Sequence, residues 1–234
     1  MIDIKTIASG SSGNCYRISD GTTNILIECG IQFSRIQEAL SFKMSEITGC
    51  LISPSHLDHC KSTDKILRAG IDCYLSEATR KCIGVLGHRV HVFESLEMFK
   101  IGTFKILPFP VQHDVENHGF LIVSKNGSKL VFATDTYYVK YLFKDINYWM
   151  VECNYSVKTL EENIRSGAVP KEIRNRIVKS HFSLENVKEF FRVNDTSKVN
   201  EIHLIHLSGN NADRALFKSE IQAVTGKPVF VWPE

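Results

Sequence analysis

The sequence predicts an α/β sandwich, in which two sheets pack together and helices cover their outer faces. Two observations carry this prediction. Both ends of the chain mix short apolar strands with segments of helical spacing, and the stretch between them is almost all strand-like. No internal repeat, low-complexity tract or Pro/Gly/Ser-rich linker interrupts the pattern, so one domain over residues 1–234 is expected. Near the start, Ile2–Ile7, Cys15–Ile18 and Asn24–Glu28 read as strands, with Asp20-Gly21 as a hairpin turn. Ile31–Leu40 has helical spacing, and Cys50–Ser53 is a short apolar strand that runs into Pro54. Helix over Lys61–Ala69, strand over Ile71–Leu75 and helix over Ala78–Leu86 follow. The middle contributes strands Val90–Phe93, Phe99–Phe109, Gly119–Ser124 and Lys129–Thr134, with Asn126-Gly127 as a turn. The last part gives strand Tyr148–Cys153, helices Val157–Arg165 and Leu184–Arg192, strand Glu201–Leu207, helix Ala212–Val224 and strand Pro228–Trp232.

Composition limits the function classes. Lys and Arg total 28 against 26 Asp and Glu, a formal charge of +2. A dedicated duplex binder usually carries a larger basic excess, because phosphate neutralisation supplies most of its affinity. No apolar run approaches the roughly 18–20 residues of a membrane helix, and the opening MIDIKTIASGSSGNC lacks a secretory pattern. The seven Cys contain no CxxC pair, which suggests reduced thiols and a cytoplasmic setting.

Chemistry concentrates where strands run out into loops. Ser53-Pro54-Ser55-His56-Leu57-Asp58-His59 places two imidazoles and a carboxylate within four residues, just after an apolar strand. Imidazole suits zinc and related metals, and carboxylate suits harder ones, so the mixture permits zinc or manganese. His113-Asp114 follows another strand, Asp135 another, and His206 closes a third. Singly, each is an ordinary loop residue. Together they describe a cation site distributed over four strand ends.

On these residues the chain resembles the metallo-β-lactamase-fold hydrolases, and the fold implied is their αββα sandwich of two mixed sheets. The family's HxHxDH loop, later His, post-strand Asp and last His correspond to Pro54, His56, Asp58 and His59, then His113, Asp135 and His206. Ala8-Ser9-Gly10-Ser11-Ser12-Gly13-Asn14, Ser180-His181-Phe182-Ser183, Glu152-Cys153-Asn154-Tyr155 and His206-Leu207-Ser208 with Asn210-Asn211 look like the YycJ (WalJ) branch. Relatives there include phage anti-Pycsar cyclic-nucleotide phosphodiesterases and cellular exonucleases. The resemblance implies two divalent ions, Zn or Mn. The first would be held by His56, His113 and a bridging Asp135, and the second by Asp58, His59, Asp135 and His206. Pro54 stands where the family has its first His and offers no donor, which weakens the first site.

The implied reaction is phosphodiester hydrolysis by a hydroxide shared between the metals. Asp58 would restrain that hydroxide. His181 would bind phosphate or protonate the leaving oxygen, and Ser183 could cap the helix that follows. Ser208 and Asn210 are expected to contact substrate, and Asp114 to accept from the far nitrogen of His113. Glu28 is expected to hold the ligand loop, the Gly10–Gly13 stretch to shape the turn beneath the site, and Tyr137, Tyr138 and Trp149 to sit in the core, with an interface as the alternative. The leading substrate is a cyclic mononucleotide, cleaved in the host cytoplasm if a phage encodes the chain. An exonuclease on DNA or RNA ends is the alternative, with Lys61, Lys65, Arg68, Arg80, Lys81 and Arg89 as its scattered positive charge. Pro54 favours a third reading, a degenerate binder without turnover. The partners implied are a small nucleotide substrate, nucleic acid in the alternative, and a second copy in a homodimer. No membrane is among them.

Overall fold

A two-residue alternation in the buried strands sets the layering, because successive side chains leave a strand on opposite faces. In β10 (Lys129–Ala133), Leu130 and Phe132 point into one apolar cluster and Val131 and Ala133 into another. β11 (Tyr148–Glu152) repeats this, with Tyr148 and Met150 on one side and Trp149 and Val151 on the other. Strands buried on both faces belong in the middle of a layered α/β structure. The computed structural model describes residues 1–54 and 56–232. Ser55, in the middle of the expected ligand turn, lies outside them.

The first sheet has the order β1 (Asp3–Ala8), β2 (Cys15–Ser19), β3 (Asn24–Ile27), β4 (Ile47–Leu51), β5 (Asp72–Leu75) and β6 (Val90–Val92). It starts as an antiparallel meander and turns parallel from β3 onward. The second runs from β13 (Val229–Val231) through β12 (Glu201–Ile205), β11 and β10 to β9 (Asn117–Val123), β8 (Phe104–Val111) and β7 (Phe99–Ile101). It is parallel from β13 to β10 and antiparallel beyond. Tyr16, Ile27 and Leu51 of the first sheet meet Phe104, Phe120 and Met150 of the second between the layers. Outside the first sheet, α1 (Phe33–Ala39) and α3 (Thr63–Arg68) bury Ile36 and Ile66 against Leu26 and Cys50. Outside the second, α7 (Leu184–Val193) and α8 (Arg214–Thr225) bury Phe190, Phe191, Phe217 and Ile221 against Trp149 and Val151. The αββα expectation holds.

Several local expectations are corrected. Phe99–Phe109 is not one strand: Gly102, at φ 54°, turns the chain back, so β7 and β8 form a hairpin. A Cβ at Gly102 would also lie 2.4 Å from the Thr23 hydroxyl. The helix expected over Lys61–Ala69 is α3, and a further short helical turn precedes it, α2 (Leu57–Cys60), so Asp58 and His59 themselves sit on a helical turn. Besides α4 (Glu77–Ile83) and α5 (Val157–Arg165), the structure adds α6 (Lys171–Ser180), which the sequence reading leaves as loop. Its apolar residues are few, and Ile173 is exposed, so no buried stripe announces it. Trp149 is core as expected. Tyr137 and Tyr138 instead are 36% and 55% exposed, and with Leu142 they border a cavity of about 460 Å³. Among the described residues, no helix is long and apolar enough to cross a membrane.

Candidate metal centre

β3 and β4 run parallel in the first sheet, β8, β10, β11 and β12 share one direction in the second, and the residues at their carboxyl ends meet at one edge of the sandwich. Glu28 follows β3, the His56–His59 turn follows β4, His113 follows β8 and Asp135 follows β10. Glu152 ends β11, and His206 follows β12. Residues 178 positions apart therefore reach one small volume.

The ligand turn rests on a backbone cradle. The Asn14 N–H donates to the Asp58 carbonyl at 2.8 Å, the Cys29 N–H to the His59 carbonyl at 2.8 Å, and the Gly30 N–H to the Asn14 carbonyl at 2.9 Å. Only glycine fits at position 30, because a Cβ there would lie 1.6 Å from the Asp58 carbonyl oxygen. Glu28 accepts from the Ser53 N–H and hydroxyl, so it does hold the ligand loop. The Gly10–Gly13 turn also lies under the site as expected: Ser9 Oγ, just before it, accepts from the His206 N–H at 2.8 Å.

Glu28, Asp135 and His206 have φ of 64°, 49° and 54°, a region that costs non-glycine residues energy and is kept only where neighbours over-determine it. Asn117 Nδ2 donates to both the Thr134 and Asp135 carbonyls at 2.8 Å, and Asn154 Nδ2 to the His206 carbonyl at 2.8 Å.

Asp135 occupies the middle. Its Oδ2 lies 3.2 Å from His59 Nε2, 3.4 Å from His113 Nε2 and 3.6 Å from His56 Nδ1, and its Oδ1 lies 3.1 Å from His206 Nδ1. Asp58 Oδ2 is 3.3 Å from both His59 Nε2 and His206 Nε2. All six residues expected to bind metal thus converge. His113 Nδ1 donates to the Ser180 carbonyl at 2.9 Å, which orients the ring with Nε2 toward the cluster. This corrects the expectation for Asp114: its Oδ1 stands 3.0 Å from His113 Nε2, on the inner nitrogen and not the outer one.

The electrostatics favour positive charge at the centre. Burial disfavours the Asp135 carboxylate, yet the His206 and His59 imidazoles hold it well below the usual range. Burial likewise disfavours an imidazolium at His206, and the surrounding Asp135, Asp58 and Glu152 carboxylates lift it to about 10. Asp135 Oδ1 is buried and has no hydrogen-bond partner among the described residues, while Glu28 Oε2 and His59 Nδ1 face each other at 3.6 Å behind the cluster. Oxygen and imidazole donors gathered around such an orphan suit divalent cations.

Glu152 is the residue the sequence reading did not count as a site member. It is fully buried, and its Oε1 accepts from His181 Nδ1 at 2.6 Å and faces His206 Nδ1 at 2.8 Å. The available signal was a carboxylate ending an otherwise apolar strand, just before Asn154. His181 lies in the cleft wall, and Ser183 caps α7 by accepting from the Asn186 N–H at 3.2 Å, as expected. The cleft, about 280 Å³, is also lined by Ser208 and Arg176, but not by Asn210. Asn210 is exposed, and its carbonyl accepts from Asn163; Asn211 faces the cleft instead.

Known proteins share this fold. The model of the beta-lactamase superfamily domain matches residues 23–206. The chain is 28% identical over 222 residues to the exodeoxyribonuclease WalJ of Streptococcus pneumoniae, a match covering 88% of this chain and 81% of that protein. The metallo-beta-lactamase fold protein YhfI from Bacillus subtilis superposes with a TM-score of 0.77 at 14% identity, over 98% of this chain and 95% of that one. Human tRNase Z, short form, does so with a TM-score of 0.65 at 15% identity, over 99% and 96%. With its sheets, its strand-end cluster and these matches, the chain belongs to the beta-lactamase superfamily, as a metal-dependent hydrolase in the WalJ-like branch of the metallo-β-lactamase fold.

Proposed function

We propose that this hydrolase cleaves nucleotide phosphodiesters and that DNA ends are its substrate class. The observation that carries the reading is the carboxylate–imidazole cluster on the cleft floor, in a chain with an exodeoxyribonuclease relative along most of its length. His56, His113 and Asp135 would hold one cation, and Asp58, His59, Asp135 and His206 the other. When bound, the two cations supply Lewis-acid polarisation of a phosphoryl oxygen and a lowered water pKa.

The remaining work falls to side chains of the wall. His181 donates its Nδ1 proton to Glu152, which leaves Nε2 for the substrate. Burial opposes an imidazolium there, but the Glu152 charge overrides it and raises the His181 pKa, so the ring is suited to protonate a leaving oxygen. Arg176 at the rim carries a largely exposed guanidinium suited to a neighbouring phosphate, and Ser208 and Asn211 offer hydrogen bonds.

One observation favours the cyclic-mononucleotide reading. Of the six basic residues expected to serve a nucleic-acid groove, Arg68, Arg80, Lys81 and Arg89 are paired with Asp64, Glu77 and Asp72. The deciding assay offers the Mn- or Zn-loaded protein end-labelled linear DNA and 3′,5′-cyclic mononucleotides in parallel, at about 50 and 200 mM salt. Shortening of DNA from its ends, with a steep loss at the higher salt, is expected. Cleavage of cyclic mononucleotides alone transfers the assignment to them, and metal binding without any cleavage refutes both.

A further inference from the structure

Pro54 leaves the first cation with two imidazoles, His56 and His113, and the shared Asp135, and the structure holds a candidate for the missing donor. Asp114 Oδ1 lies 3.0 Å from His113 Nε2 and 3.5 Å from His56 Nε2. One donor atom from each of these three residues falls within 4.8 Å of the other two. The Ser180 carbonyl accepts from His113 Nδ1–H, which turns Nε2 toward the carboxylate, and the two atoms face each other at a separation that suits neighbouring ligands on one cation. The opposite oxygen, Oδ2, faces Arg176 Nε at 3.6 Å, which orients the carboxylate with Oδ1 inward.

We infer that Asp114 is a direct ligand of the first cation, supplying a carboxylate oxygen where Pro54 supplies nothing. The inference rests on the two-cation reading of the cleft. It gives the first site two imidazoles and two carboxylates. Oxygen in place of nitrogen is a harder donor set, which moves that site's preference from zinc toward manganese.

The test is metal binding, not turnover. Apo protein is titrated calorimetrically with Mn²⁺ and with Zn²⁺, and bound metal is counted by elemental analysis after gel filtration. The chains compared are wild type, Asp114→Asn, Asp114→His and Arg176→Ala, each checked for wild-type circular dichroism. Wild type is expected to bind two ions. Asp114→Asn should weaken one of them by about 10- to 100-fold or more and leave the other unchanged. Asp114→His should restore the second ion with a stronger bias to Zn²⁺, and Arg176→Ala should keep two. Two full-affinity ions in Asp114→Asn, or loss of one ion in Arg176→Ala to the same degree, overturns the inference and leaves Asp114 as an anchor for the arginine. A wild type that saturates with one ion overturns it while sparing a mononuclear hydrolase. A wild type that binds none overturns the metal-centre reading itself.

Discussion

Gly30→Ala would separate the scaffold of the site from its ligands, because it adds one methyl group beneath the metal-binding turn and alters no donor. The added Cβ would start 1.6 Å from the Asp58 carbonyl oxygen and 2.5 Å from the His59 nitrogen. Contacts below 3.0 Å do not persist, and here both partners are backbone, so no rotamer change relieves the clash. The α2 turn must therefore move away from the β3 end by more than 1 Å, carrying Asp58 and His59 with it. That movement stretches the hydrogen bonds from Asn14 and Cys29 to the carbonyls of Asp58 and His59. Overpacking of this kind costs about 1–3 kcal/mol, and each weakened backbone bond adds about 1 kcal/mol. For a chain of this size the total of roughly 3–5 kcal/mol lowers Tm by about 6–20 °C. A displacement near 1 Å at catalytic groups costs on the order of 100-fold in rate. Differential scanning calorimetry of the apo protein reads the first effect, and metal titration with hydrolysis of a nitrophenyl phosphodiester reads the second. If Gly30→Ala melts with wild type and binds metal with wild-type affinity, the cradle does not position the turn and the argument fails.

Three further outcomes follow from the same structure. His181→Ala should lower kcat by about 10²- to 10⁴-fold while metal stoichiometry stays at two, as followed by calorimetric titration; loss of metal would instead make His181 a ligand. Chelation should lower Tm and excess Mn²⁺ or Zn²⁺ restore it, since ions held at about 1,000 times Kd stabilise the fold by about 4 kcal/mol each; an unchanged melting curve refutes a resident cation pair.

The third concerns acid stability away from the site. Burial slightly disfavours the Asp20 carboxylate, but the Thr103 hydroxyl and the Thr23, Thr22 and Lys125 N–H groups hold its pKa down to about 2, against 3.8 for the free side chain. The folded value is depressed, so the stabilisation is complete above pH 3.8 and lost as the pH falls toward 2. Asp20 is only partly buried, and solvent screening reduces the effect to roughly 1 kcal/mol. Asp20→Asn should lose that stability at pH 7 and flatten the dependence between pH 4 and 2 in urea melts; an unaltered slope would remove Asp20 from the account.

The six metal-ligand candidates stood out at strand ends, and the resemblance to a known family joined them into one set; their visibility has a physical reason. A ligand that follows a buried strand is marked twice, by the apolar run and by the polar residue that ends it. His113 after β8, Asp135 after β10 and His206 after β12 all carry that mark. Glu152 carries it too, but as the last residue of its own strand it reads equally well as a strand end, and only its pairing with His181 and His206 gives it a place. α6 escaped because its helix is written mostly in charged and polar residues. Which nitrogen of His113 faces Asp114, which of Asn210 and Asn211 meets the cleft, and whether Tyr137 and Tyr138 are covered are matters of side-chain direction across chain segments far apart in sequence. Spacing along one segment does not encode them. The sequence by itself determined which donors exist and that strand ends would present them; packing of the two sheets decided their mutual distances, and with them the part that Asp114 can take.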